Sequence, residues 1–142
     1  MAVKRVHPEE ARELIVKQGY VYVDVRSIPE FDAGHPEGAY NVPLMHAGPG
    51  GMTANADFLA VMQKAFPKDA KIVVGCKMGG RSARAAAMLE GAGYTHVIDQ
   101  SAGYDGGPDP ATGRVVPGWR PAGLPVSQDS PADHTWQGLK GR

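Results

Sequence analysis

The stretch Lys71-Ile72-Val73-Val74-Gly75-Cys76-Lys77-Met78-Gly79-Gly80-Arg81 decides the fold. Ile72 to Val74 is a continuous β-branched apolar run, the composition of a strand buried on both faces. The run passes directly into a cysteine, a glycine pair and the alanine-rich segment from Arg81 to Glu90, which favours helix. Gly91 and Gly93 close that helix, and Thr95-His96-Val97-Ile98 supplies the next strand. Two apolar strands joined by a helix form a βαβ unit, whose strands run parallel.

The same alternation continues toward the N-terminus. Val3 to Val6 reads as a short strand. Pro8-Glu9-Glu10-Ala11-Arg12-Glu13-Leu14-Ile15 opens as a helix, with Pro in the first turn and acids where the helix dipole favours them. Ala11, Leu14, Ile15 and Gln18 share one face, and Gly19 is the stop. Val21 to Val25 is a second strand, Pro29-Glu30-Phe31-Asp32 a helical turn, and Ala39-Tyr40-Asn41-Val42 a third strand ending before Pro43. Asn55 is placed to cap a helix whose apolar residues Phe58, Leu59, Met62, Ala65 and Phe66 keep the helical period until Pro67. The order β-α-β-α-β-α-β-α-β predicts an α/β domain of three layers, α/β/α, around a five-stranded parallel sheet. Between the third strand and that helix, His46 to Thr53 is rich in breakers and reads as a surface loop near the rim of the site, a candidate gate. Its glycines, Gly48 to Gly51, lack the Lys-Ser/Thr ending of a phosphate loop.

A chain of 142 residues has the length of one ordinary domain. Fifteen basic residues balance fifteen acidic ones, which argues against a partner held by its phosphate backbone. No apolar run approaches the roughly 20 residues that cross a bilayer. The segment Met1 to Pro8 lacks the apolar stretch of a secretory leader, so the cytoplasm is the expected location. Composition changes after Ser101, where eight Gly and six Pro fall within the last 42 residues. Residues 1–105 are therefore read as the domain and 106–142 as a Gly/Pro-rich extension packed upon it. Trp119 and Trp136 both lie in the extension, which favours an extended segment across the surface up to Val126, a looser remainder and an exposed Trp136. The five histidines show no metal-ligand spacing, and neither a metal nor another cofactor is expected.

Open parallel sheets bind ligands beyond the carboxyl ends of their strands, and Cys76 falls there, between a strand and the helix that follows. It is the only cysteine, so disulfides within the chain and all-cysteine metal sites are excluded. A lone cysteine is most often a small buried hydrophobe. Here its neighbours point to chemistry. Backbone N–H groups near a helix start converge on an anion or a thiolate, Gly79 and Gly80 permit the backbone angles that turn them inward, and Lys77 and Arg81 add positive charge. Each of these effects favours thiolate over thiol.

The Cys76–Arg81 loop resembles the active-site loop of rhodaneses, sulfurtransferases that carry sulfur as a cysteine persulfide. Val23-Asp24-Val25-Arg26, Glu30-Phe31 and Gly34-His35-Pro36-Glu37-Gly38-Ala39-Tyr40-Asn41-Val42-Pro43 are similar to the family's N-terminal signature. Leu89-Glu90-Gly91-Ala92-Gly93-Tyr94 and Gly103-Tyr104 match later landmarks. The inserted Met45–Thr53 segment most resembles single-domain members of the plant stress-and-senescence type and their bacterial relatives. The resemblance implies the rhodanese-like fold over about residues 3 to 105, with Cys76 as the sulfur-accepting nucleophile. It also implies that the N–H groups of Lys77, Met78, Gly79, Gly80 and Arg81 hold the terminal sulfur. Lys77 would match the basic residue that goes with thiosulfate as donor, and Arg81 would bind the anion or fix the loop. Asp24 and Arg26 would tie loops by ion pairs, and His35 would brace its turn. Related phosphatases place five residues between Cys and Arg; here there are four, a cradle for one sulfur atom and too narrow for phosphate. Many members carry a Trp after the Gly-Tyr pair, whereas this chain continues Asp105-Gly106-Gly107, so Trp119 is the candidate to fill that place.

Two functions follow from the resemblance. One is a ping-pong thiosulfate sulfurtransferase with cyanide or a thiol as acceptor. The alternative is a persulfide carrier passing sulfur from a desulfurase to a biosynthetic partner protein, with the tail as docking element. A structural module with an inert loop is a third reading, disfavoured because packing requires no cations beside the thiol.

Overall fold

The computed structural model describes residues 3–109 and 111–141, so expectations touching Met1, Ala2, Pro110 and Arg142 lie outside it. From the N-terminus the elements are β1 (Lys4–Val6), α1 (Pro8–Gln18), β2 (Val21–Asp24), α2 (Ile28–Ala33), β3 (His35–Pro36) and β4 (Tyr40–Asn41). Next come β5 (Met45–Gly48), β6 (Gly51–Ala54), α3 (Phe58–Ala65), β7 (Lys71–Gly75), α4 (Gly80–Gly91) and β8 (His96–Gln100). The extension carries β9 (Gly106–Pro108), β10 (Val115–Pro117), β11 (Val126–Ser127), a 3-10 turn at Ala132–His134 and α5 (Trp136–Lys140).

The five apolar runs pair in the order β1-β8-β7-β2-β4, all parallel, as the alternation predicts. The pleat sends alternate side chains of β7 to opposite layers. Ile72 and Val74, followed by Cys76, join one cluster with Val23, Phe58, Met62 and Leu89, while Val73 joins the other with Val6, Ala11, Tyr22 and Phe31. α3 and α4 cover the first face and α1 the second, which is why the run Ile72–Val74 is apolar at every position. α1 ends as the sequence requires, with Gly19 in the left-handed conformation at φ 75°. The strand after β7 lies to one side of it and the strand after β2 to the other. The loops leaving these two neighbours therefore diverge, and a crevice opens where Cys76 sits.

Three details depart from the sequence reading. The breaker-rich segment is an antiparallel hairpin, β5 with β6, closed around Pro49-Gly50. Its residues are largely exposed, and none of them lines the cleft at Cys76, so the hairpin is not placed as a gate. Asn55 is not the cap but stands two residues before it: its Oδ1 accepts the Asp57 N–H at 3.0 Å, its Nδ2 donates to Pro43 O at 2.8 Å, and Asp57 is the residue before α3. The side chain thus pins the hairpin's exit to the third strand's loop, a tertiary bond that a local capping rule does not anticipate.

The extension is built into the domain. Trp119 is completely buried, its ring edge against Tyr22 at 5.3 Å and its Nε1 donating to Pro125 O at 2.7 Å. β11 pairs with β3, and Glu37 N–H donates to Pro125 O. His35, itself buried, stacks on Phe31 and places its ring nitrogens 2.8 Å from Phe31 O and 3.0 Å from Asp129 O, a brace across the tail. Beyond Val126 the expected looseness gives way to α5, whose Thr135 Oγ1 accepts the Gly138 N–H. Trp136, expected to be exposed, is only 6% exposed and enters the main core with fully buried Leu139. Composition misjudges this segment because two large apolar side chains anchor a short helix that its glycine would weaken in isolation. Trp136→Ala is expected to cost about 3–5 kcal/mol, as for other large core truncations, measured by urea unfolding. A loss below about 1 kcal/mol would contradict the docking of α5.

Candidate active site

β7 delivers Cys76 to the crevice, and the chain must then turn sharply to start α4. Gly79 makes that turn at φ 106°, and a Cβ there would run into the Ser101 carbonyl. So placed, the Gly79 N–H donates to Cys76 Sγ at 3.1 Å. The N–H groups of the first turn of α4 have no intrahelical acceptor, and the positive end of the helix lies at this loop. Ser82, fully buried in that turn, has its Oγ 3.5 Å from Cys76 Sγ and donates to Gly79 O at 3.2 Å. The cysteine is 2% exposed, at the base of a cleft of about 400 Å³ lined by Lys77, Met78, Gly80, Arg81 and Arg84.

From below, the turn after β8 holds the loop. Tyr104 N–H donates to Cys76 O at 2.7 Å and Asp105 N–H to Lys77 O at 3.0 Å. Gly103, at φ 71°, lies so close to the Cys76 and Lys77 carbonyls that no side chain fits there. Buried Gln100 shapes this turn: its Oε1 accepts from the Ala102 and Gly103 N–H groups, and its Nε2 donates to Gly103 O.

Arg81 borders the cleft and turns its guanidinium onto α2. Its Nη1 and Nη2 form a bidentate pair with Glu30 Oε1 and Oε2 at 2.7 and 3.0 Å. Glu30 also accepts from the Ser27 hydroxyl and the Ser27 N–H, the capping box of α2. One carboxylate thus joins the start of α2 to the first turn of α4. Burial by itself would raise its pKa, but the bonds from Arg81 and Ser27 outweigh burial and hold the carboxyl at about 2. Lys77 is left half exposed, its Nζ 3.9 Å from Asp105. Lys77 also borders a second cleft of about 290 Å³ together with Arg26, Tyr104, Asp105 and Arg120.

Asp24 and Arg26 sit at the end of β2, both buried. Arg26 Nη2 donates to Asp24 Oδ2 at 2.7 Å and to Gly34 O at 2.6 Å, and its guanidinium lies 4.3 Å over the Tyr104 ring. Burial disfavours the Arg26 cation, yet the Asp24 carboxylate more than restores it, and its pKa stands above the ordinary value. Cys76, Lys77, Met78, Gly80 and Arg81 therefore line one cleft, with Gly79 bonded to its sulfur, while Asp24 and Arg26 lie one strand away and Arg26 borders the second cleft. Glu30, Ser82 and Gln100 complete the arrangement and were not singled out from the sequence. Ser27-Ile28-Pro29-Glu30 does carry the spacing of a capping box, which is the signal for Glu30.

An open α/β sheet with a buried cysteine at the turn between a strand and a helix defines the architecture of a rhodanese-like domain. The chain belongs to the rhodanese-like domain family, whose model matches residues 7–107. It is 46% identical over 86 residues to thiosulfate sulfurtransferase 16, chloroplastic, of Arabidopsis thaliana, covering 61% of this chain and 72% of that one. It is 44% identical over 94 residues to senescence-associated protein DIN1 of Raphanus sativus, covering 66% of this chain and 51% of the relative. Against several of these relatives the match spans about half their length. Among solved structures, the crystal structure of Rv0390 from M. tuberculosis superposes with a TM-score of 0.74 at 28% identity, covering 91% of this chain and all of that one.

Because the folded-state pKa of Glu30 is depressed, its stabilising contribution is whole above the ordinary value of 4.5 and drains away as pH falls toward 2. Glu30→Gln is expected to lower stability at neutral pH and to flatten the loss of stability between those two pH values, followed by urea unfolding at each pH. An acid limb as steep as in the wild type would contradict the pairing with Arg81.

Proposed function

We propose that the protein is a thiosulfate sulfurtransferase working through a persulfide on Cys76. The observation that carries this reading is the Gly79 N–H on Cys76 Sγ at a helix start, with an unburied cation, Lys77, at the mouth of the cleft. The name and 46% identity of the thiosulfate sulfurtransferase relative support the choice of donor.

In the first half-reaction the thiolate of Cys76 attacks the outer sulfur of thiosulfate, the sulfur–sulfur bond of the donor breaks, and sulfite leaves with the bonding pair. Lys77 pairs with the sulfonate oxygens of the donor and of the departing sulfite. The first-turn N–H groups, Gly79 foremost, hold the terminal sulfur of the persulfide and its charge. Arg81, held on Glu30, keeps the first turn of α4 in register with the sulfur and adds positive potential without touching the donor. In the second half-reaction cyanide or a thiolate attacks the outer sulfur and regenerates the Cys76 thiolate. The cycle needs no metal or organic cofactor.

Initial-rate measurements with thiosulfate and cyanide are expected to give parallel double-reciprocal lines, and Cys76→Ser no turnover. Intersecting lines, or turnover in the serine variant, would overturn the reading. Lys77→Ala is expected to lower kcat/KM for thiosulfate about ten- to a hundredfold, the worth of one charge-assisted hydrogen bond, while leaving the unfolding midpoint in place. An unchanged kcat/KM would remove Lys77 from donor binding. Efficient sulfur uptake from a protein persulfide with negligible thiosulfate turnover would favour the carrier function.

A further inference from the structure

Cys76 lies at the base of its cleft and is only 2% exposed, so an acceptor must carry its nucleophilic atom down to the outer sulfur of the persulfide. The cleft, about 400 Å³, has the size of a small-molecule site. A water takes up about 30 Å³ of liquid, so about a dozen would fit, far more than the volume of thiosulfate. The cleft therefore has room for a larger second substrate.

One charged residue of the cleft has no part in the chemistry above. Gly80, Arg81 and Arg84 stand three and four positions apart on α4 and share the face that lines the cleft. Arg81 is paired with Glu30. Arg84 is exposed and has no hydrogen bond or ion pair among the described residues. The positions one turn to either side of it, Gly80, Arg81, Ala87 and Met88, hold no acid. A cation near the positive end of a helix is unfavourable, and α4 has no acid in its first turn to offset it. Helix stability thus gives no reason for Arg84, whereas an anion entering the cleft does. Met78, 58% exposed, adds an apolar wall on which a short carbon chain can rest.

We propose that Arg84 binds the carboxylate of the sulfur acceptor, and that the acceptor is a small thiol bearing a carboxylate a few bonds from its sulfur. The inference rests on Cys76 carrying the persulfide of the proposed cycle. Depth in the cleft separates the two cations. Thiosulfate carries its charge on the atom next to the sulfur it gives up, which keeps it beside the loop and Lys77. Arg84 lies four residues beyond Gly80, about 6 Å further along the helix axis, where the far end of a short chain arrives. With its carboxylate on Arg84, the acceptor points its thiolate at the base of the cleft. A bond forms from that thiolate to the outer sulfur as the bond from the outer sulfur to Cys76 Sγ breaks. The pair of the broken bond stays on Sγ as the Cys76 thiolate, and the acceptor leaves as a persulfide. One sulfur–sulfur bond replaces another, with no net oxidation or reduction. Cyanide and uncharged thiols forgo the contact with Arg84, which makes this arginine a determinant of acceptor specificity.

For the test, Cys76 is converted to its persulfide with inorganic polysulfide and the protein freed of excess reagent, so that thiosulfate is not required. Loss of sulfur from Cys76 in a single turnover is followed by intact mass, with mercaptopropionate and with its uncharged counterpart mercaptoethanol. The intrinsic reactivities of the two thiols cancel when the ratio of their rates is compared between variants. Arg84→Ala is expected to lower the ratio of mercaptopropionate to mercaptoethanol about two- to fivefold, the worth of one exposed ion pair. Arg84→Glu is expected to lower it further, and Arg84→Lys to keep most of it. The wild-type ratio is expected to fall toward that of Arg84→Ala as salt is added. An unchanged ratio in Arg84→Glu, or an equal loss with both thiols, overturns the proposal. A ratio that depends on Arg84 in a protein that takes no sulfur from thiosulfate would count against the proposed donor and leave the acceptor site standing. A Cys76 that takes no sulfur from polysulfide overturns both.

Discussion

The N–H of Gly79 reaches the sulfur of Cys76 only because residue 79 carries no side chain. With φ at 106° and the Ser101 carbonyl where a Cβ would stand, any other residue would push the turn away from β8 and swing the amide off the sulfur. The remaining features of the site keep that turn in place. Gln100 and Gly103 press the backbone after β8 against the carbonyls of Cys76 and Lys77. Arg5 reaches the carbonyl of Gly79 from β1. The Arg81–Glu30 pair fixes the first turn of α4 to α2. Sheet, helix start and capping box converge on one peptide unit.

The cations at this edge divide by their partners. Arg26 is paired with Asp24 and Gly34 and Arg81 with Glu30, so both serve as struts, and the charge of Arg81 also acts on Cys76. Among the described residues Lys77 has the long contact to Asp105 as its ion pair and is half exposed, which leaves it able to meet an anion. Two arginines of similar loop position thus act by holding, and one lysine by reaching. A lysine's flexible stem and point charge suit the second task, and the planar fork of arginine suits the first.

The sheet and its helices were legible because a strand buried on both faces must be apolar throughout, as Ile72 to Val74 is, and because Gly19 and Pro67 mark helix ends in purely local terms. The cysteine loop was legible for a similar reason: glycines, cations and a strand-to-helix junction lie within a few residues of Cys76. Glu30 escaped because its partner Arg81 is 51 residues away in sequence. Ser82 and Gln100 bond to near neighbours, Gly79 and Gly103, in turns whose geometry no local residue pattern announces. The tail escaped for another reason. Its Gly and Pro content describes backbone freedom, but its placement is set by Trp119 and Trp136, whose burial repays the ordering of the chain between them. His46 to Thr53 read as loop because a hairpin this exposed has no apolar alternation to reveal it.

The central claim is that Cys76 takes up one sulfur atom and gives it away. Intact mass of the protein, recorded after incubation with thiosulfate and again after adding cyanide, tests it most directly. A gain of one sulfur atom, located on the Cys76 peptide and removed by cyanide, is the expected result. An unchanged mass after thiosulfate, with Cys76 still open to alkylation, would contradict it.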